Sequence, residues 1–321
     1  MATEGTAKIG IVGAGSVGAT IAYAAMIRGV ARQICLFDIA RTKVNAEVLD
    51  LNHGMLFVPP GTVDGSDDIE VLRGSDVVVV TAGAKQNPGQ SRMDLASANA
   101  AICAKLLPKV VEVAPEAILL LITNPVDVIT QVALKLTGLP WERVIGSGTV
   151  LDSSRFRYLL ARHCGVAVQN VHAYIAGEHG DSEIPLWSSA SIGSIPLSQW
   201  EVEGHGRMTA ADKEKIVQNV KDAANQVIQG KGATNYAIGL AVTNILEALL
   251  HDEQRVLPLS GLVQGYSGVE EVCLSLPRIV GRKGIEPPLP IPMTVDERTG
   301  LEESAQRIRA AVRGLETLEH T

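Results

Sequence analysis

The chain has 321 residues, 46% hydrophobic but only 3% aromatic, with a formal net charge of −7. This length fits about two domains of ~150 residues each, with cores built from Ala, Val, Leu and Ile. The acidic balance argues against nucleic acid or an anionic membrane as a main partner, but leaves open small anions that need only local positive charge. Met1 to Ala7 is short and polar, unlike a signal peptide. The longest apolar runs, such as Ala117 to Ile122, are too short to span a bilayer. A cytoplasmic protein is therefore expected. Cys35, Cys103, Cys164 and Cys273 are far apart and lack metal-type spacing, so reduced thiols and no metal site are expected.

Lys8 to Asp38 sets the organisation. Ile9, Ile11 and Val12 belong to a short strand that breaks at Gly13-Ala14-Gly15-Ser16-Val17-Gly18. A helical segment, Ala19 to Ile27, follows and ends at Gly29. A second strand, Ile34 to Phe37, closes on Asp38. This is the order a dinucleotide site requires. Gly13 permits a tight turn, Gly15 a close approach of backbone to pyrophosphate, and Gly18 close packing of helix on strand. The helix N-terminus then offers free N–H groups and a positive dipole end to phosphates. A carboxylate at Asp38 suits ribose hydroxyls and repels a 2′-phosphate, which favours NAD over NADP, although Arg41 is near enough to soften that preference. The bland alternative is an ordinary βαβ unit with a tight turn.

Further along, Arg41 to Leu51 has helical spacing. Val77 to Val80 is a continuous β-branched run, as in a strand buried on both faces, and it ends at Thr81-Ala82-Gly83-Ala84. The polar stretch Lys85 to Arg92 reads as a loop. Met93 to Val113 reads as a long helix that Pro108 kinks or splits. Ala117 to Ile122 is another buried strand, ending at Asn124-Pro125-Val126-Asp127. Val128 to Leu136 is helical and Arg143 to Ile145 a short strand. Alternating strands and helices predict an α/β protein with a doubly wound parallel sheet. Ligands should collect beyond the carboxyl ends of its strands.

The pattern changes near Gly146, which divides a dinucleotide-binding Rossmann domain, 1–146, from a second α+β substrate domain, 147–321. Leu151 to Cys164 is helical, with Asp152 and Arg155 three apart on one face. Val168 to Ile175 reads as one strand, running into Gly177-Glu178-His179-Gly180-Asp181. Asp212 to Gln229 and Tyr236 to Leu250 are helices interrupted at Lys231-Gly232. Arg255 to Leu259 and Glu271 to Leu276 pair antiparallel. Glu286 to Pro292 is a stiff surface connection. The last helix lines up Leu301, Ala305, Ile308, Val312 and Leu315.

Gly13 to Gly18, Asn124 to Asp127, Asp152 to Arg155 and Gly177 to Asp181 together resemble the L-lactate/malate dehydrogenase family, in correct order over nearly the whole chain. The resemblance implies reduction of a 2-oxo acid, which needs a hydride on carbon and a proton on oxygen. His179, in a Gly-flanked turn after a strand, is the candidate acid, with Asp152 implied as the partner that holds its ring. His53, His163, His205, His251 and His320 are read as structural. Arg155 is implied to bind the substrate carboxylate bidentately. Arg92 is implied to polarise the carbonyl once its loop closes. Asn124 is expected to hydrogen-bond substrate or nicotinamide, with a cis Asn124–Pro125 peptide. Thr234 is expected to form a pocket wall, and Ile238 to pack on the nicotinamide ring. The resemblance also assigns Val17, Lys43, Gly83, Ala84, Ile122 and Ser147 to the NAD site.

Gln86 bears on the substrate, because malate dehydrogenases carry arginine there to pair with a second carboxylate. A neutral Gln86 leaves such a carboxylate desolvated and unpaired, so pyruvate is expected over oxaloacetate. Lys85 is the group that keeps some malate activity open. Arg157 and His172 match positions that bind fructose 1,6-bisphosphate in bacterial lactate dehydrogenases, across a subunit interface of a tetramer. The competing reading is a helix surface charge and a satisfied strand residue. The implied protein is an NAD-dependent L-lactate dehydrogenase, homotetrameric and activated by the bisphosphate. A malate or other 2-hydroxy-acid dehydrogenase and a non-catalytic NAD-sensing protein are the alternatives. A short-chain dehydrogenase is set aside, because none of Tyr23, Tyr158, Tyr174, Tyr236 and Tyr266 has Lys four residues on.

Overall fold

In the computed structural model, which describes residues 7–84 and 92–319, strand and helix alternate through the first half. The order is β1 (Lys8–Val12), α1 (Ser16–Arg28), β2 (Gln33–Phe37), α2 (Arg41–His53), β3 (Thr62–Ser66), β4 (Val77–Val80), α3 (Arg92–Val113), β5 (Ile118–Leu121), α4 (Val126–Thr137) and β6 (Val144–Gly146). These six strands pair in parallel in the order β3-β2-β1-β4-β5-β6. The order reverses between β1 and β4, which places the ligand crevice of a doubly wound sheet at their carboxyl ends.

The sheet interior follows from strand alternation. Val78, Val80, Leu119 and Leu121 face one core with Cys103, Leu107 and Val110 of α3. Val77, Val79, Ile118 and Leu120 face the other, with Ile21 and Ala25 of α1. All four valines of β4 are buried. Helix α3 runs through Pro108 as one element, so of the expected kink or split the split does not occur. The ring removes one backbone hydrogen bond, but Leu107 and Val110 on either side are wholly buried and hold the helix on the sheet.

The second half contributes α5 (Val150–Cys164), the two-residue strands β7 (Val171–His172), β8 (Ile175–Ala176), β9 (Ile184–Pro185), β10 (Ser191–Ile192) and β11 (Ile195–Pro196), then α6 (Ala210–Lys231), α7 (Tyr236–Leu250), β12 (Arg255–Val263), β13 (Val272–Gly281), β14 (Gly284–Pro288) and α8 (Val295–Glu319). Strands β12 to β14 pair antiparallel and join the parallel sheet where Ser260 meets Gly146, giving nine strands in one sheet. Leu301, Ala305, Ile308, Val312 and Leu315 of α8 are all buried in one core. Among the described residues no helix is long and apolar enough to cross a membrane.

Two expectations are corrected. Val168 to Ile175 is not one strand but a 3₁₀ turn followed by β7 and β8. β7 pairs with β10 while β8 pairs with β9, so the chain changes sheet midway, which an apolar run does not announce. Glu286 to Pro292 begins inside β14 rather than in a connection. β14 is the outer strand of the sheet and its register with β13 shifts between Arg278 and Val280, the kind of irregular edge where prolines such as Pro287 and Pro288 are tolerated. Strand β3 escaped the sequence reading because only Val63 of its five residues is buried.

This packing sets a stability contrast. Leu120→Ala, at 0% exposure, should lower the unfolding free energy by about 2–5 kcal/mol in urea titration. Ile39→Ala, at 87% exposure, should stay within about 0.5 kcal/mol of the parent.

Candidate active site

The turn between β1 and α1 is built for an anion. Gly13 has φ +103°, and a Cβ there would press on Thr81 Oγ1 at 2.8 Å; a Cβ on Gly18 would overlap the Gly13 carbonyl oxygen. Gly15 differs, because a Cβ there would meet only Lys43 Nζ, at 3.8 Å. Helix α1 starts after Gly15 with no side-chain cap and no acid in its first turn. Its N-terminal N–H groups therefore face open space beside an ammonium, an arrangement that fits a pyrophosphate. Val17 packs half-buried against the core beneath. Asp38 directly follows β2, and its carboxylate also has a structural task. Oδ2 accepts from Ala14 N at 2.8 Å and Oδ1 from Ala40 N at 3.0 Å, which pins the glycine turn to the neighbouring strand.

A relay of hydrogen bonds links this turn to the next strand ends. Thr81 Oγ1 lies 3.0 Å from both the Val12 and the Gly13 carbonyl oxygens. Thr123 Oγ1 donates to Ala82 O at 2.7 Å, and Ser147 N to Leu121 O at 2.9 Å. Gly83, Ala84 and Asn124 are exposed along this edge, Ile122 is half-buried and Ser147 buried. The Asn124–Pro125 peptide is cis. Thr234 and Ile238 flank the start of α7, both half-buried. Asn235 Nδ2 donates to Thr20 Oγ1 at 2.9 Å, which holds this segment against α1. Lys85, Gln86 and Asn87 lie outside the described residues, as does the side chain of Arg92.

The chemistry gathers around His179. Asp152, 2% exposed on the first turn of α5, holds two cations with one carboxylate. Its Oδ2 is 2.5 Å from His179 Nδ1, and its Oδ1 accepts from Arg155 Nη1 at 2.7 Å. Burial pushes the Asp152 carboxyl upward, but His179 and Arg155 win and hold it below the usual carboxylate range. The Asp152 carboxylate in turn raises His179 to about 9, against the effect of burial. The part-exposed imidazole is thus positively charged at neutral pH, with Nε2 left for a ligand.

Two residues of this cluster had no role in the sequence reading. Asp127, 1% exposed at the start of α4, accepts from His179 N at 2.7 Å and from Ser275 Oγ at 2.9 Å. Ser275 also pairs by backbone with Gly177. Asp127 therefore fixes the main chain of the histidine to the strand end that carries Asn124, and burial raises its carboxyl. It stood within the Asn124 to Asp127 motif, which was the available signal. Glu183 is 7% exposed, and its carboxyl is pushed up to about 8 by burial and then by Asp152. Its carboxylate and the ligand atoms of Asp152 and His179 lie within 4.8 Å of one another. In sequence it reads as one more acid in a polar turn.

Arg157 is tied to the backbone of Ala173, the residue after His172. Arg157 Nε donates to Ala173 O at 2.8 Å, its guanidinium lies over the Tyr174 ring at 4.9 Å, and His172 is exposed on β7. The histidines read as structural include three that bond to backbone carbonyls: His163 to Arg207 O, His205 to Cys164 O and His251 to Val30 O.

Comparison with known proteins agrees with this geometry. Residues 7–146 match the family model described as lactate/malate dehydrogenase, NAD binding domain, and residues 149–318 match lactate/malate dehydrogenase, alpha/beta C-terminal domain. An L-lactate dehydrogenase of Bifidobacterium animalis subsp. lactis is 52% identical over 303 residues, covering 94% of this chain and 95% of its own. One of Thermus aquaticus is 47% identical over 309 residues, covering 96% and 99%. Among solved structures, a lactate dehydrogenase from a Medee basin deep-sea metagenome library superposes with TM-score 0.93 at 36% identity, covering 97% of this chain and 99% of that one. The minor L-lactate dehydrogenase of Enterococcus mundtii gives 0.92 at 36% identity, covering 96% and 98%.

Two of the turn's three glycines, Gly15 and Gly18, can be separated by experiment. Gly15→Ala meets no close atom, so it should keep its melting temperature while NADH binding, followed by fluorescence titration, weakens by about tenfold or more as the methyl blocks the backbone's approach to phosphate. Gly18→Ala strikes the Gly13 carbonyl and should lower both affinity and melting temperature.

Proposed function

The chain belongs to the lactate/malate dehydrogenase family and is an NAD-dependent enzyme of it; from that premise we propose that it is an L-lactate dehydrogenase, interconverting pyruvate and L-lactate. The observation that carries this reading is the Asp152 carboxylate shared between His179 and Arg155. It sets a proton donor and a carboxylate receptor side by side, as a 2-oxo acid requires. Bound NADH supplies the hydride to the keto carbon.

The protein's own residues account for the rest. Arg155 takes the pyruvate carboxylate on the N–H groups that Asp152 leaves free, which fixes the orientation of the keto group. His179 donates its Nε2 proton to the keto oxygen as charge develops there, and Asp152 stabilises the imidazolium and fixes the tautomer through Nδ1. Asp127 keeps the histidine main chain in place. Arg92 polarises the carbonyl, Asn124 hydrogen-bonds to the substrate side of the crevice, and Thr234 and Ile238 wall the pocket. Gly13, Gly15, Val17, Gly18, Asp38, Lys43, Gly83, Ala84, Ile122 and Ser147 hold the dinucleotide. We read residues 1–146 as the NAD-binding domain and 147–321 as the substrate-binding domain, with Arg92 and Asn124 of the first and Ser147 of the second serving the crevice shared by both. Gln86 favours pyruvate because it offers no charge to a second carboxylate. A cytoplasmic homotetramer is part of the same reading.

A bisphosphate effector is also proposed. Arg157 is tied to the carbonyl next to His172 and retains N–H groups for phosphate. NADH oxidation should proceed with a clear preference for pyruvate over oxaloacetate. Fructose 1,6-bisphosphate should lower the pyruvate concentration for half-maximal rate, most clearly at mildly acidic pH. A preference for oxaloacetate would refute the lactate assignment; no response to the bisphosphate would remove only the effector.

The pH dependence follows from His179. Reduction needs the imidazolium, so its kcat/KM should be flat at neutral pH and fall above about 9; lactate oxidation needs the neutral ring and should rise over the same range. Asp152→Asn removes the charge that raises His179, so its profile should break at lower pH, with kcat/KM reduced roughly a hundredfold or more.

A further inference from the structure

Asn99 lies two turns into α3 with 1% of its surface exposed. Its buried neighbours on that helix are Ala96, Ala100 and Cys103, so an apolar side chain would suit the packing. Asparagine is also a weak helix former, because its amide competes for backbone. A buried amide must find partners, and this one finds both outside its own helix. Oδ1 accepts from Ala84 N at 2.7 Å, and Nδ2 donates to Asn124 O at 2.6 Å. One side chain therefore ties the end of β4 to the end of β5. The glycine before Ala84 makes room for it: a Cβ on Gly83 would lie 3.0 Å from Asn99 Oδ1 and 2.6 Å from Thr123 Cγ2.

We propose that Asn99 is a positioning residue for the hydride-transfer step, its amide setting the separation of the Ala84 and Asn124 main chains at the nicotinamide end of the crevice. Both ends of its amide are taken up by those two main chains, and it acts through them. The proposal rests on the reading of this crevice as the pyruvate and nicotinamide site. Leucine would fill the same space but strand the Ala84 N–H and the Asn124 carbonyl without partners. Aspartate would keep the acceptor for Ala84 and lose the donor for Asn124, placing negative charge against a carbonyl oxygen.

The test compares the full-length wild type with Asn99→Asp and Asn99→Leu. Steady-state rates with pyruvate, NADH affinity by fluorescence and folding by circular dichroism are measured on each. In folded variants kcat should fall about tenfold or more while the NADH dissociation constant rises less than about threefold, because Gly15 and Asp38, read as the pyrophosphate and ribose contacts, are left unaltered and only the reacting geometry is lost. A residue that merely supports the fold would lower the melting temperature and leave kcat per folded molecule unchanged. That result, or a kcat within about twofold of wild type in folded Asn99→Asp, would overturn the inference, since a misplaced reacting group costs more than that. Failure of the wild type itself to oxidise NADH with pyruvate would instead remove the functional reading, and this inference with it.

Discussion

A carboxylate taken out of water stays charged only if its surroundings replace the lost hydration. Asp152 is almost completely buried and meets that demand with an imidazolium on one oxygen and a guanidinium on the other. The demand works in both directions. The acid needs the two cations, and each cation is oriented by the acid. Stability of the buried charge and arrangement of the cluster are thus one requirement, so loss of any of the three leaves a buried group unmatched.

The cluster has its place because the strands stop together. β1, β4, β5 and β6 end side by side, and short contacts carry their positions across: Thr81 to the glycine turn, Thr123 to Ala82, Ser147 to Leu121. Asp127 then reaches from the start of α4 to the backbone of His179. Most of these anchors are small polar side chains bonded to main chain. They specify separations between loops that would otherwise be free to drift, which is how a rigid sheet lends precision to residues outside it.

What the sequence disclosed divides along physical lines. The roles of Gly13, Gly15 and Gly18 are local, set by backbone conformation and by the absence of Cβ, and such requirements are written at the position itself. Val77 to Val80 and Ala117 to Ile122 announced buried strands because burial on both faces leaves no polar alternation. Partnerships across the chain are another matter. Asp152 and His179 are 27 residues apart, and only a resemblance joined them beforehand. Asp127 and Glu183 carried no visible task, since an acid's task depends on what it meets after folding. β3 was hidden by lying at an edge, and the break between β7 and β8 by a change of sheet that apolarity does not encode.

The joining of β12 to β6 has a mechanical consequence. The parallel and antiparallel strands form one continuous ladder, and Thr149 N adds a bond to Pro258 O beside the junction. Arg28 on α1 and Arg255 on β12 share Glu247 of α7. A jaw-like swing of one half against the other would have to tear these connections. Adjustment around a reacting molecule therefore falls to the segments that leave the sheet, and the frame beneath them transmits strain rather than yielding to it.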